Sequence, residues 1–251
     1  MSTHTVAATI NTMSFRFKQF FVEDNRCAMK VGTDGVLLGA WSPIGFRSPE
    51  SGIRILDIGT GSGLIALMLA QRFPNTQIDA IDIHPDAVEQ AKENFQSSVF
   101  SHQLSAFHSS LQEWQGGPYD LIVSNPPYFT NSLKNPDKSR QTARHTDTLS
   151  YEELLAHSTR LLNANGQLTL ILPAEAETEV REIAARHGLF PTRITRVYSK
   201  ESKPARRVLM SFIRDTGIPE YRNVEIDSLV LENETGGRSA AYSQLCKEFY
   251  L

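Results

Sequence analysis

A short segment at residues 124–128, Ser-Asn-Pro-Pro-Tyr, combines residue types that can bind a planar amino group. It follows the apolar run 119–123, which predicts a buried strand that ends just before Asn125. The Asn125 side-chain oxygen can accept one hydrogen of an amine and the Pro126 carbonyl a second, while proline nitrogens offer no competing donor. Tyr128 can stack on the flat group that carries the amine. Because Asn-Pro and Pro-Pro pairs also close ordinary turns, the segment alone is equally consistent with a plain loop.

The second candidate site is a glycine-rich turn at residues 57–63, Asp-Ile-Gly-Thr-Gly-Ser-Gly, between a predicted strand and a predicted helix. Glycines allow a sharp turn and the close approach of a ligand, and the helix N-terminus presents free N–H groups. The spacing G-x-G-x-G differs from the G-x-G-x-x-G of dinucleotide sites, because Leu64 stands where the third glycine would fall. Asp57 would repel a pyrophosphate and instead suits the cationic amino group of a bound amino-acid moiety.

An acidic residue that holds ribose hydroxyls is expected about 20 residues beyond such a turn, and Asp82 stands at the end of the next predicted strand. A nucleoside that carries an amino acid suits both acidic residues, so we predict S-adenosylmethionine as the cofactor. We expect it to bind against the backbone of Gly59 and Gly61. A glycine turn without a ligand is common for an isolated motif, but two acidic residues at strand ends argue against it here. Side chains predicted with less support to contact the cofactor are Ile83, Ser109 and Ser110 at the adenine, and Thr33 and Lys30 at the carboxylate.

These sites need a sheet to position them, and strand-helix alternation from Ile53 predicts a mainly parallel sheet covered on both faces. Thr33 or Asp34 is expected to cap a helix, and Ser150 with Glu153 resembles a capping box. The predicted strands are 53–57, 77–83, 104–108, 121–124 and 166–172, with late antiparallel strands at 192–198 and 207–213 and a short one near 15–22. The predicted helices are 64–73, 85–95, 149–162 and 174–187, while 224–231 could be a strand and 242–251 a short helix or docked tail.

Length and composition predict one globular domain, since the chain has 251 residues, of which 40% are hydrophobic and 21% charged. A net charge of −3 excludes a uniformly basic nucleic-acid binder but allows a local basic patch. Cys27 and Cys246 lack a metal-ligand spacing, so we expect free thiols in a reducing compartment and no metal site. With no leader pattern and no apolar run of about 18 residues, we expect a cytoplasmic protein that does not span a membrane, and a monomer.

The turn at 57–63, Asp82 and the segment 125–128 resemble the motifs of class I S-adenosylmethionine-dependent methyltransferases that act on exocyclic amino groups. The stretches 17–20, 29–41 and 249–251 are similar, more narrowly, to the bacterial tRNA1(Val) (adenine(37)-N6)-methyltransferase family. The resemblance implies an α/β, Rossmann-like fold with a seven-stranded, mostly parallel sheet, a late antiparallel strand and helices on both faces. It implies a cap segment at 1–52, a catalytic core at 53–214 and an extension at 215–251. The implied reaction is methyl transfer to N6 of adenine 37 in tRNA1(Val), with Asn125, Pro126 and Tyr128 as catalytic residues.

Transfer RNA also needs cations for its phosphates, and two groups of basic residues are candidates. The first follows the catalytic segment and contains Lys134, Lys138, Arg140, Arg144 and His145. The second surrounds the late hairpin and contains Arg196, Lys200, Lys203, Arg206 and Arg207. Charge runs are usually solvated faces, so the first group is favoured for its position and the second is equally consistent with plain surface.

Three other functions share parts of this pattern. Methyltransferases that modify a glutamine amide of protein release factors carry Asn-Pro-Pro-Tyr too, but a helical substrate domain precedes their glycine turn, and residues 1–56 do not resemble one. A DNA adenine methyltransferase needs a sizeable target-recognition region, for which the length leaves little room. An RNA-binding module without catalysis could keep the fold, but it would not need the residues Asp57, Asp82 and Asn125.

Overall fold

The protein is described by a computed structural model that covers residues 14–43, 52–127, 149–214 and 223–251. A small antiparallel hairpin comes first, formed by β1 (Ser14–Arg16) and β2 (Phe21–Glu23), and helix α1 (Thr33–Trp41) follows it. One short strand was predicted near residues 15–22, and the structure has two because the chain reverses at Phe17, whose N–H donates to the Phe20 carbonyl. Gly32 is the N-cap of α1, so the predicted cap at Thr33 or Asp34 is wrong by one or two positions.

The central sheet has eight strands, and the seven predicted strands are joined by an additional strand at one edge. In chain order the strands are β3 (Ile53–Ile58), β4 (Thr76–Asp82), β5 (Leu104–His108), β6 (Tyr119–Ser124), β7 (Leu162–Pro173), β8 (Leu189–Tyr198), β9 (Ala205–Arg214) and β10 (Glu225–Val230). Their spatial order is β10-β8-β9-β7-β6-β3-β4-β5. Only β9 runs antiparallel to its neighbours β7 and β8, and the added strand β10 pairs parallel with β8.

Helices cover the sheet, and their ends follow local sequence signals. They are α2 (Leu64–Arg72), α3 (Pro85–Gln96), α4 (Tyr151–Leu161), α5 (Glu177–Arg186) and α6 (Ala240–Leu245), with short 3₁₀ turns at Ser101–Gln103 and Ala174–Ala176. Pro85 occupies the first turn of α3, where its missing N–H costs nothing. The predicted capping box is confirmed, because Ser150 accepts from the Glu153 N–H and Glu153 accepts from the Ser150 N–H.

Two apolar clusters hold the layers together. The first includes α1 and α2 side chains with strand residues such as Ile55 and Val123, and the second includes α4 and α5 side chains with Leu56 and Ile122. Neighbours along β3 and β6 therefore belong to different clusters, which is the alternation expected of a sheet buried on both faces. Because β3 and β6 lie side by side in the same direction, their carboxyl ends deliver Asp57 and Asn125 to one edge of the sheet.

The carboxyl-terminal segment packs against the amino-terminal hairpin and α2. The Lys18 N–H donates to the Phe249 carbonyl at 2.9 Å, and the Gln71 side chain donates to the Glu248 carbonyl at 2.7 Å. Phe249 is buried, and the Tyr250 ring stacks on Phe17 with ring centroids 6.1 Å apart. The segment at 242–251 thus contains both predicted alternatives, a short helix that ends at Leu245 and a docked tail.

Candidate active site

A cavity of about 720 Å³ lies at the carboxyl ends of β3, β4 and β6. Four parts of the chain line it: residues 27–35 before and within α1, the glycine turn, the end of β4 and the segment after β6. Ligands of open α/β sheets bind at this edge, next to the point where the strand order reverses, and β3 between β4 and β6 marks that point. Predicted site residues on its wall are Gly59, Gly61, Asp82, Ile83, Ser109, Ser110, Thr33, Lys30, Asn125 and Pro126.

The glycine turn is held against β4 by its own backbone. The N–H groups of Gly59 and Thr60 donate to the Ile81 carbonyl at 2.9 and 3.1 Å. Gly59 and Gly61 adopt positive φ values of 69° and 53°, which side-chain-bearing residues rarely reach. At Gly63, the N-cap of α2, a Cβ atom would stand 2.4 Å from the Phe95 ring, so glycine is required for α2 and α3 to approach.

Asp57 lies behind the glycine turn and does not line the cavity. Its side chain is fully buried, Oδ2 accepts from the Thr60 hydroxyl at 2.7 Å, and Oδ1 has no hydrogen-bond partner among the residues that the structure describes. Burial raises the pKa of this carboxyl to about 7, against the opposing effects of the hydrogen bonds from Thr60 and the Ala66 backbone. Among the described residues no cation lowers this pKa, so a buried carboxyl group without a counter-charge lies behind the turn.

Asp82 stands at the end of β4 with its carboxylate fixed by two backbone groups. Oδ2 accepts from the Gly61 N–H and Oδ1 from the His84 N–H, each at 2.9 Å. A carboxylate offers about four acceptor sites, so both oxygens keep capacity for further donors such as hydroxyl groups. The hydrogen bond from the Gly61 N–H to Asp82 also fixes the glycine turn against the end of β4.

Asn125 directly follows β6 and lines the cavity. Its Nδ2 donates to the Met29 sulfur at 3.7 Å, whereas its Oδ1 is buried and has no hydrogen-bond partner in the described ranges. The preceding Ser124 hydroxyl donates to the Ile58 carbonyl at 2.9 Å, which ties the end of β6 to β3. Asn125 thus lies on the cavity wall with an acceptor whose hydrogen-bonding capacity is unused, and the amine-binding hypothesis needs such an acceptor to turn toward the base.

Two buried residues hold the 27–35 segment over the cavity. Asn94 on α3 donates to the carbonyls of Glu23 and Ser62 and accepts from the Glu23 N–H. Asp24, only 3% exposed, accepts from the Val31 N–H at 2.7 Å. The hairpin, the wall segment and the glycine turn are thereby joined into one hydrogen-bonded unit.

Sequence reasoning missed Asn94, Asp24 and Met29 as contributors to the site. Asn94 carried a usable signal, since it lies on the same helical face as the apolar residues Ala87, Ala91 and Phe95, where a polar side chain needs a partner. Asp24 and Met29 precede α1 in a stretch without periodicity, so no local pattern marks them.

The remaining predicted cofactor contacts lie on the wall with local partners of their own. The Lys30 ammonium donates to the Asp24 carbonyl at 2.7 Å and to the Asn25 carbonyl at 3.3 Å. The Ser110 hydroxyl donates to Glu113 at 3.0 Å, and Ile83 is 40% exposed, which suits contact with a flat ligand. Thr33 is the first residue of α1 and faces the cavity with the wall segment.

The predicted stacking residue and the first basic group, namely Tyr128, Lys134, Lys138, Arg140, Arg144 and His145, lie outside the described residues. In the second group, Arg196 makes two 2.8 Å hydrogen bonds to Glu177, and Arg207 donates to Asp34 at 2.9 Å. Arg206 is exposed and lines a neighbouring cavity of about 650 Å³ between α1 and the β8–β9 hairpin. The second group is therefore divided between structural ion pairs and exposed cations.

Comparison with known proteins identifies the family. A family model described as "Methyltransferase small domain" matches residues 46–185. A tRNA1(Val) (adenine(37)-N6)-methyltransferase of Flavobacterium johnsoniae is 45% identical over 240 residues, which are 94% of this chain and 99% of the relative. The chain belongs to this family. The relative of the same name from Aeromonas hydrophila is 44% identical over 238 residues, 94% of this chain and 97% of its own.

Solved structures support the fold of this methyltransferase. A protein titled a predicted O-methyltransferase from Agrobacterium tumefaciens matches with a TM-score of 0.64 at 17% identity, covering 86% of this chain and 96% of its own. Membership establishes S-adenosylmethionine as the cofactor and confirms the class I fold prediction. Within the described ranges, no helix is long and apolar enough to cross a bilayer, and no cluster of candidate metal ligands occurs. Cys27 and Cys246 are free thiols, and burial raises the pKa of each to about 11.

Proposed function

We propose that this methyltransferase transfers a methyl group from S-adenosylmethionine to N6 of adenine 37 in the anticodon loop of tRNA1(Val). The observation that carries the proposal is that Asn125, whose Oδ1 has no hydrogen-bond partner among the described residues, lines the same cavity as Asp82 and the glycine turn. The relatives that share 44–45% identity over nearly the whole chain are named for this reaction. Residues 14–43 add support, since they form a hairpin and one helix rather than the helical substrate domain of a release-factor methyltransferase.

The chain's own residues fit the cofactor. Asp82 has acceptor capacity for the two ribose hydroxyls, and the positive-φ backbone at Gly59 and Gly61 leaves room for close contact. Asp57 lies behind the turn, and the ammonium group of the methionine moiety would favour its ionised form, since low polarity strengthens the attraction between the two charges. Ile83 offers an apolar surface to the adenine ring, and Lys30 and Thr33, which also line the cavity, are proposed to bind the carboxylate. When bound, the cofactor supplies an electrophilic methyl group.

Asn125 and Pro126 act on the target amine. The N6 lone pair of adenine is delocalised into the ring, which makes the nitrogen a poor nucleophile. When Asn125 Oδ1 and the Pro126 carbonyl accept its two hydrogens, the amine is held in place and its lone pair becomes more available. Fixed positioning of two reactants can supply about 7–11 kcal/mol, so the residues need not act as a strong base. After transfer, the extra proton can leave through these acceptors or to solvent.

The adenine must leave its stack to reach the cavity. Bases of a single-stranded loop are already partly unpaired, which lowers the cost of extrusion. We propose that Tyr128 stacks on the extruded base, a contact worth roughly 1–3 kcal/mol. The tRNA phosphates are proposed to bind the basic residues Lys134, Lys138, Arg140 and Arg144. The enzyme is proposed to act as a monomer in the cytoplasm. Light scattering of the purified protein tests the oligomeric state.

The deciding experiment is transfer of labelled methyl from S-adenosylmethionine to tRNA from a strain that lacks this protein, followed by nucleoside analysis. N6-methyladenosine at position 37 of tRNA1(Val) is the expected product. Asn125→Ala should abolish transfer while the dissociation constant of the cofactor changes less than threefold. Labelling of a release-factor glutamine instead of tRNA would replace the proposed acceptor, and a fully active Asn125→Ala enzyme would remove the proposed role of that residue.

A further inference from the structure

We propose that Met29 is a positioning residue that fixes the orientation of the Asn125 amide. The inference rests on the proposed function, in which Asn125 Oδ1 must face the target amine. An asparagine side chain has an acceptor end and a donor end of nearly equal size, and rotation by half a turn exchanges them. A catalytic asparagine therefore needs a neighbour that distinguishes the two ends.

Met29 meets this requirement by its chemistry. A thioether sulfur can accept a hydrogen bond but cannot donate one, so it can pair only with the Nδ2 end of the amide. The distance from Asn125 Nδ2 to the Met29 sulfur is 3.7 Å, within the range for sulfur acceptors. In the part of the chain that the structure describes, this sulfur is the only hydrogen-bond partner found for the Asn125 side chain. With Nδ2 engaged, Oδ1 stays unfilled and points away from the sulfur.

The position of Met29 in the fold agrees with this role. Met29 is 46% exposed, whereas the other methionines in the described ranges, Met68 and Met210, are fully buried in the core. It lies on the cavity wall in the segment that Asp24 and Asn94 hold in place, across 96 residues of sequence from Asn125. A large, half-exposed apolar residue in a pocket wall contributes little to folding, so its sulfur is free to serve the site.

Three variants separate the sulfur from the bulk of the side chain. Met29→Leu keeps an apolar side chain of similar volume without an acceptor, and we expect kcat to fall three- to tenfold with the KM for S-adenosylmethionine within twofold. Met29→Gln returns an acceptor oxygen at similar length, and we expect it to recover part of the lost kcat. Met29→Ala should lose kcat as Met29→Leu does. The melting temperature of all three should stay within about 2 °C of the parent, because the residue is exposed.

A binding measurement tests the orientation independently of turnover. In the presence of S-adenosylhomocysteine, the parent enzyme should bind tRNA1(Val) with adenine at position 37 more tightly than the same tRNA with purine, which lacks the amino group. In Met29→Leu the ratio of the two dissociation constants, for purine and for adenine at position 37, should be at least twofold smaller than in the parent. An unchanged kcat together with an unchanged preference for adenine would overturn the inference. A parent enzyme that methylates no tRNA and shows no preference would instead overturn the proposed function, so the two failures are distinguishable.

Discussion

Asn94 donates from one amide nitrogen to both the Glu23 and the Ser62 carbonyls, each at 2.8 Å, and so joins the amino-terminal hairpin to the glycine turn. Its Oδ1 also accepts from the Glu23 N–H at 3.1 Å. Since Asn94 is only 2% exposed, these bonds form away from competing water. One side chain on α3 thus connects the amino-terminal hairpin, which leads into the cavity wall, to the glycine turn.

Replacing Asn94 by alanine should weaken cofactor binding more than tenfold, because the wall segment loses its connection to the turn. Stability should also fall by roughly 2–4 kcal/mol, since buried backbone groups lose their partners. Calorimetric titration with S-adenosylhomocysteine, alongside denaturant unfolding, measures both effects. Asn163→Ala is the matched control, because Asn163 donates to Asp120 at 2.6 Å near the amino ends of β7 and β6, at the other end of the strands from the cavity. It should lose stability without losing affinity, and equal affinity losses in both variants would contradict the coupling.

Asp82→Asn should weaken cofactor binding by about two orders of magnitude. An amide presents a donor to either the Gly61 or the His84 N–H, so one of the two 2.9 Å hydrogen bonds must break and the turn must shift. A cofactor analogue without the ribose 2′-hydroxyl separates this distortion from direct contact. The parent enzyme should bind the cofactor with the intact ribose at least tenfold more tightly than the analogue. For Asp82→Asn this difference in affinity should be much smaller. A variant that keeps the full preference would show that Asp82 does not contact the hydroxyls.

Asp57 predicts an unusual pH dependence of stability. Burial raises its pKa in the folded state from 3.8 to about 7, so between these values the native state holds a proton that the unfolded state has released. The free energy of unfolding should therefore fall as pH rises from about 4 to about 7, by up to about 4 kcal/mol. Asp57→Asn should flatten this decrease and weaken cofactor binding. Denaturant unfolding from pH 4 to 8 measures the slope, and identical slopes in the two proteins would refute the assignment.

The exposed cations of the β8–β9 hairpin should contribute to tRNA affinity. Lys203→Gln with Arg206→Gln removes two positive charges, which should flatten the slope of log affinity against log salt by about 1.4–1.8 if each contacts a phosphate. Arg196→Gln is the control, since Glu177 already neutralises Arg196 through two 2.8 Å hydrogen bonds. It should leave the salt slope unchanged. If the double variant and the parent show the same salt slope, these two cations do not contact tRNA phosphates and the tRNA binds to other surfaces.

The sheet and the glycine turn were predictable because their signals are local. Apolar runs of strand length that alternate with helical patterns specify β3 to β9, and the glycines of the turn adopt the positive φ values that their spacing implied. The eighth strand was seen only as an ambiguous segment, because its parallel pairing with β8 is decided by tertiary contacts. The placement of Asp57 behind the turn was equally hidden, since sequence shows that a residue ends a strand but not which side of the turn its side chain reaches.

The partners of Asn125 could not be predicted from sequence. Met29 and Asn125 are 96 residues apart, and Glu23 and Asn94 are 71 apart, so neither pair produces a periodic or spaced pattern. A chemical role for Asn125 could nevertheless be proposed, because the two prolines and the preceding apolar run constrain it locally. Sequence therefore predicted Asn125 as the residue that binds the amine, and the structure adds Met29 as its hydrogen-bond partner.

The contact between Lys18 and the segment around Lys247 spans 229 residues, which has a consequence for the order of events during translation. The hairpin is made early, but the segment whose Tyr250 ring stacks on Phe17 emerges from the ribosome only after the whole central sheet. Contacts of such long range form late in folding. A nascent chain can thus complete its sheet and glycine turn before the hairpin gains its contacts with Phe249 and Tyr250, so the outer side of the hairpin is covered only after residue 250 has been synthesised.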